Sequence, residues 1–303
     1  MFLFFCDISY KIIILKYKGS KMKKKLLSKA IGLSLLASLI YTTPSIAQEK
    51  TVDTNASFDF SKMTDVQKQQ LGNFVSDYLM ANPDILVKMS DKIQIEQQKK
   101  AEEERKAMAG LVATTLKDEL INDKDTPAIG NKDAEIALVE FFDYNCVYCS
   151  KAAPDVEKII KANPDMKFVF KEWPIFDTRL PTSDLAARVG FKVLKEKGSD
   201  VYYKYHNAVY ATKHVEGQLT KDDIVKAAKS VGVDANTLKD GEYQDIIQKN
   251  KDLAAKIKIG GTPSFIIMPT KNATADNTFI YPGILSEKDL QSVIDQIKGS
   301  LKK

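Results

Sequence analysis

Cys146 and Cys149 sit with two residues between them in "FFDYNCVYCSKAAP", residues 141–154. Thiols at that spacing can bind a soft metal, form a short crosslink, or exchange electrons with other thiols. Zinc needs further ligands. The chain offers only Cys6, far away near its start, and two histidines, His206 and His214. His206 lies in the aromatic run "YYKYHNAVY", where packing or solvation accounts for it without catalysis. No metal ligand set and no cofactor are assigned. A copper(I)-binding dithiol without exchange chemistry is the competing reading.

The surroundings favour exchange. "EIALVEFF" (Glu135–Phe142) reads as a buried strand, and a helix starts at about Cys146 and runs to about Ala162. A thiol at a helix start faces unpaired N–H groups and the positive end of the helix dipole, which favour the reactive thiolate. Cys149, one turn further along and facing inward, can resolve a mixed disulfide formed at Cys146. A second signal is "IGGTPSFII", where Pro263 interrupts an apolar, β-branched run. Either a cis Thr262–Pro263 bond opens the strand and leaves the preceding backbone free for an extended client, or a trans proline ends an ordinary loop.

Other elements place these residues. "MKFVFKEWP" (Met166–Pro174) reads as a second strand, so strand, helix and strand make one βαβ unit with a parallel pair. Residues from Ser183 to about Ile257 read as helices punctuated at Gly198, Gly217, Gly232 and Gly241, with Thr220 an N-cap in "TKDD". Two strands, "GGTPSFIIM" and "TFIYPG", and a closing amphipathic helix follow.

Upstream, helices are expected from Thr64 to about Met80 and from about Asp84 to Leu120, with Pro83 in the first turn of the second. The stretch "EQQKKAEEERKA" (Glu96–Ala107) has no large apolar residue and reads as a solvated stalk, or as a helix lying on the next domain through its ends only, with ion pairs Glu96–Lys100 and Glu102–Lys106. The apolar ends of this region favour self-association through residues 60–120. "NDKDTPAIGNKDA" (Asn122–Ala134) reads as the loop at the domain boundary.

The 303 residues carry a net charge of +5, but unevenly. Eight of the 45 basic and one of the 40 acidic side chains lie in residues 1–47, leaving 37 against 39. Nucleic acid is therefore excluded as a partner. Residues 22–47 have the order of a secretory signal: Lys23, Lys24 and Lys25, an apolar segment from about Ala30 to Ile40, then Ser45-Ile46-Ala47. Cleavage after Ala47 is expected; an uncleaved anchor is disfavoured by the short apolar run. Residues 1–21 read either as an overlong start before Met22 or as a second apolar anchor. The exported chain would keep only Cys146 and Cys149, so the pair cannot be a long-range staple.

"VEFFDYNCVYCSKAAP" followed by "GGTPSFII" resembles the thioredoxin superfamily, and the helical insert between them resembles the DsbA-type branch of exported thiol–disulfide oxidoreductases. The resemblance implies an α/β thioredoxin fold over residues 127–301 with an all-helical insert at about 183–257, preceded by a helical extension over 48–121. That extension is similar to the oligomerising one of ScsC-like members. It also implies a periplasmic enzyme that forms or rearranges disulfides, with exported proteins as clients and a membrane redox partner. Within the site it implies an exposed, nucleophilic Cys146, a buried Cys149, a cis Pro263 against the pair, and Glu140 moving protons at the buried thiol. A buried strand-end acid has the perturbed affinity that role needs, and Lys171 on the neighbouring strand is placed to pair with it. Oxidases of this type carry Pro-His between the cysteines, where this chain has Val147-Tyr148. Thr262 before the proline resembles isomerase-like and ScsC-like members instead.

Overall fold

The computed structural model describes residues 59–302; the leader, the signal segment and Cys6 lie outside them. Residues 59–68 form a short 3-10 turn and the start of helix α1 (Asp65–Ala81). Thr64 and Gln67 cap that start reciprocally: Gln67 N–H donates to Thr64 Oγ1 at 3.3 Å and Thr64 N–H to Gln67 Oε1 at 2.9 Å.

From residue 69 on, the expected alternation of strands and helices is present, with a mixed sheet at its centre. The strands are β1 (Ala128–Gly130), β2 (Ile136–Phe142), β3 (Lys167–Glu172), β4 (Ser264–Pro269) and β5 (Phe279–Pro282). Their order among the described residues is β1-β3-β2-β4-β5, with β2 and β3 parallel and the other pairs antiparallel. β2 is buried along its whole length because it is central and covered on both faces.

Alternation along β2 sorts its side chains between those faces. Ile136, Leu138 and Phe142 join one core with helix α4 (Val147–Ala162), helix α9 (Glu287–Leu301) and the helical insert. That insert comprises α5 (Pro181–Lys197), α6 (Ser199–Ala211), α7 (Lys221–Ser230) and α8 (Gln244–Lys256). The four punctuating glycines all have positive φ, and Thr220 forms the expected capping box with Asp223. Ala137, Val139 and Phe141 join a second core, which α8 and the upstream helix complete.

The upstream helix departs from expectation. Helix α2 (Asp84–Leu111) passes through a π-helical turn, Val112–Leu116, into α3 (Lys117–Ile121). The Thr114 hydroxyl competes for the Gly110 carbonyl at 2.8 Å, which loosens the regular ladder there. The turn lets Val112, Leu116, Leu120 and Ile121 all reach the second core.

Residues 96–107 are exposed throughout, as expected of a solvated stalk, but the ion pairs differ from those expected. Lys106 pairs with Asp276 in the β4–β5 turn at 2.7 Å rather than with Glu102, which meets Arg105 at 2.9 Å. Lys100 lies one turn from both Glu96 and Glu104 and takes Glu104, at 4.0 Å. The boundary loop also holds β1, which sequence alone did not reveal; a three-residue strand is too short to show alternation. Leu120 is fully buried where α3 meets the sheet. Leu120→Ala should cost about 2–5 kcal/mol in urea unfolding of the folded chain.

Candidate active site

Strand β2 ends at Phe142, and the turn Asp143–Asn145 delivers Cys146 to the N-cap position of α4. Side chains lock this turn. Asp143 accepts from Asn145 N–H at 2.8 Å and from Phe176 N–H at 3.0 Å. Asn145 donates to Thr182 and Ser183 hydroxyls at the start of α5 and accepts from Gly217 N–H at 3.1 Å. Tyr210 from α6 donates to the Asp143 carbonyl at 3.1 Å.

The two thiols sit in unlike surroundings. Hydrogen bonding from Cys149 lowers the Cys146 thiol to about 6 against the opposition of burial, with further help from the Tyr148 and Cys149 backbone. Burial pushes Cys149 well above its ordinary value, and the neighbouring Cys146 and Glu140 charges add to it. One thiol is thus a ready anion and the other a held proton.

The expectation of an exposed Cys146 is corrected. Its residue surface is 3% exposed, because the segment before Pro263 lies over it and the Thr262 carbonyl approaches Sγ to 3.3 Å. The Thr262–Pro263 bond is cis and Pro263 is buried. The Thr262 hydroxyl is buried with no partner of its own. Of the residues between the cysteines, Val147 is half-buried and Tyr148 exposed, its ring 5.5 Å from Lys151 Nζ.

Glu140 is buried on the β2 face that meets α4, and burial followed by the Cys146 charge raises its carboxyl to about 8. Lys171 does not pair with it. Lys171 stands opposite Phe141 and Glu140 opposite Phe170, so the two side chains leave the sheet on opposite faces. Lys171 Nζ instead donates to the Glu119 carbonyl at 2.8 Å and to Thr126 Oγ1 at 2.7 Å, clamping the end of α3.

His206 is buried among aromatic rings, with burial lowering it to about 3, and His214 is exposed beside Asp223 at 2.9 Å. Among the described residues no group of three or more His, Cys, Asp or Glu side chains is placed to hold a metal. Asp143, Asn145 and Glu172, which surround the turn, were not singled out from the sequence. The one available signal was a charged pair, Lys171-Glu172, set between apolar residues in "FVFKEWP".

Comparison with known proteins gives a consistent picture. The DSBA-like thioredoxin domain family matches residues 137–294, and the Copper resistance protein ScsC N-terminal domain matches residues 67–101. The chain is 24% identical over 142 residues to Na(+)/H(+) antiporter NhaA 3 of Salinispora tropica, a match covering 46% of this chain and 21% of the antiporter's length. It is 28% identical over 155 residues to disulfide bond formation protein D of Bacillus subtilis, covering 48% of this chain and 68% of that protein. Of solved structures, Salmonella enterica Typhimurium BcfH is similar at 36% identity and TM-score 0.66, covering 77% of this chain and 96% of that one. Proteus mirabilis ScsC in a compact conformation is similar at 29% identity and TM-score 0.54, covering 78% of this chain and all of that one.

The raised Glu140 affinity has a consequence for stability. The folded state holds this proton up to about pH 8, whereas an unfolded glutamate releases it near 4.5. The Glu140 contribution is therefore fully present below pH 4.5 and is lost as pH rises through about 8. Glu140→Gln should remove this loss and raise stability relative to the parent at pH 8 and above by a few kcal/mol. The check is urea unfolding of both dithiol proteins between pH 4 and 9.

Proposed function

The chain belongs to the DSBA-like thioredoxin domain family, and on that premise we propose that it is an exported protein-disulfide oxidoreductase that forms or rearranges disulfides in envelope proteins. The single observation that carries this reading is the unequal thiol pair: a lowered Cys146 at the helix start, one turn from a buried, raised Cys149.

The chemistry follows from that inequality. In the dithiol form, the Cys146 thiolate attacks one sulfur of a client disulfide and the first client thiolate leaves. With Cys146 in the mixed disulfide its charge no longer opposes ionisation of Glu140, and the ionised carboxylate takes the Cys149 proton so that the Cys149 thiolate attacks Cys146 Sγ. This closes the Cys146–Cys149 disulfide and releases the second client thiolate. Two electrons reach the client; one proton comes from Cys149 by way of Glu140 and the second from solvent. In reverse, the enzyme disulfide takes two electrons from a client dithiol, and a membrane redox partner restores it. Rearrangement occurs when another client thiol displaces Cys146 before Cys149 acts. The backbone at Thr262 and Pro263 borders the sulfur and would pair with an extended client segment. Tyr148, exposed beside the pair, would meet it first.

Export is supported by the ordered charges, apolar run and small residues of 22–47, and would put the enzyme in the periplasm. Assembly of copies through residues 60–120 is supported by the apolar side chains that α1 and α2 leave exposed, among them Leu71, Phe74, Tyr78, Leu86, Met89 and Ile93. Several sites around one cleft would suit rearrangement of misfolded clients.

Two tests separate these points. Cys146→Ala should abolish exchange with reduced and scrambled model proteins, while Cys149→Ala should trap a client on Cys146 as a mixed disulfide visible by non-reducing electrophoresis. Stoichiometric copper(I) binding by a parent protein with no exchange activity would sink the oxidoreductase reading. For assembly, sedimentation should give the parent the mass of several copies, and Phe74→Glu with Tyr78→Glu should reduce it to one. A parent of single-copy mass would refute self-association.

A further inference from the structure

Glu172, at the end of β3, is 1% exposed, and burial pushes its carboxyl well above the usual range. Burying a carboxyl is costly unless the groups around it satisfy it. Here the surroundings are built for it. Tyr144 and Tyr202 hydroxyls both donate to Glu172 Oε1, at 3.1 and 2.7 Å. Asn250 from α8 fixes the Glu172 carbonyl at 3.0 Å. Helix α5 passes the carboxyl at Gly190, where a Cβ would stand 2.7 Å from Oε1, so only glycine leaves room. The other titratable groups facing this pocket are His206, whose Nδ1 lies 3.5 Å from the Tyr144 hydroxyl, Tyr205, Tyr210 and Asp143.

This carboxyl is not on the path drawn for proton transfer, which runs through Glu140. Its link to the chemistry is Tyr144, two residues before Cys146, in the turn that sets the cysteine at the helix start. Tyr144 is also held by its ring, which packs on Phe142 at 5.1 Å and on Tyr210 at 5.2 Å.

We propose that Glu172 is a positioning residue of the redox centre: by holding the Tyr144 hydroxyl it ties the turn that presents Cys146 to β3 and the helical insert. Loosening that tie lets Cys146 drift from the N–H groups at the start of α4, which weakens the hold on its thiolate. The inference rests on the oxidoreductase reading, because it assigns Cys146 as the attacking thiol.

The test is the pH dependence of Cys146 alkylation in the reduced full chain, with the modified residue located by mass spectrometry. Urea unfolding of each variant runs alongside. The parent should show a midpoint of about 6. Glu172→Gln keeps an acceptor oxygen and Tyr202→Phe leaves Tyr144 tethered, so both should hold that midpoint even where they lower stability. Glu172→Leu and Tyr144→Phe should raise it by about one unit, roughly a tenfold smaller thiolate fraction at pH 5. If Glu172→Leu does not fold, Tyr144→Phe decides. A folded Tyr144→Phe protein with the parent midpoint overturns the proposal, as does Glu172→Gln moving as far as Glu172→Leu, which would assign the effect to charge rather than to the tether. A parent midpoint near the ordinary 9.0 would instead strike the oxidoreductase reading, and this inference with it.

Discussion

Two sulfurs one helical turn apart have to differ in how well each tolerates a negative charge. The start of α4 supplies N–H groups and the positive end of a dipole to Cys146. The same helix, one turn on, carries Cys149 into a buried core, where desolvation outweighs the one backbone hydrogen bond that favours its thiolate. Burial alone would raise both thiols. Only the helix terminus and the hydrogen bonds at Cys146 break the symmetry, so the position of the turn Asp143–Asn145 controls the chemistry. That explains why an otherwise small turn is gripped from β3, α5 and α6 together.

The helical insert is therefore more than a lid of unrelated helices. Its side chains meet the turn at several points, among them Thr182 and Ser183 on Asn145, Tyr210 on the Asp143 carbonyl, and Tyr202, through Glu172, behind Tyr144. Each contact satisfies a polar group that burial would otherwise leave unpaired. The polar groups here form a connected network, and such networks hold a geometry more sharply than apolar packing does.

The opposite face of the sheet carries a different task. Lys171 and Lys167 donate to the Glu119 and Ile121 carbonyls, which are among the unpaired groups at the C-terminal end of α3. With Leu116, Leu120 and Ile121 in the core, these lysines bind the upstream helix to the sheet. The π-helical turn adjusts its phase so that the apolar side face lands there. The exposed apolar side chains of α1 and the first half of α2 are left without cover.

Most of the fold was legible in the sequence. Period-two and helical patterns placed β2, β3, β4, β5 and the insert, the cysteine pair marked the helix start, and glycines marked the breaks. These features are local: a pattern over five to fifteen residues reports the state of those residues. What escaped was set by distant segments. Whether Lys171 meets Glu140 depends on the register of β2 against β3, and one residue of phase puts a side chain on the other face. Whether Cys146 is exposed depends on the Thr262 segment more than a hundred residues away. The sequence by itself determined which atoms could do chemistry and which helix would carry them. Tertiary structure alone decided which groups surround them, because burial and hydrogen bonding, which set the charge on a thiol or a carboxyl, arise only when remote parts of the chain pack together.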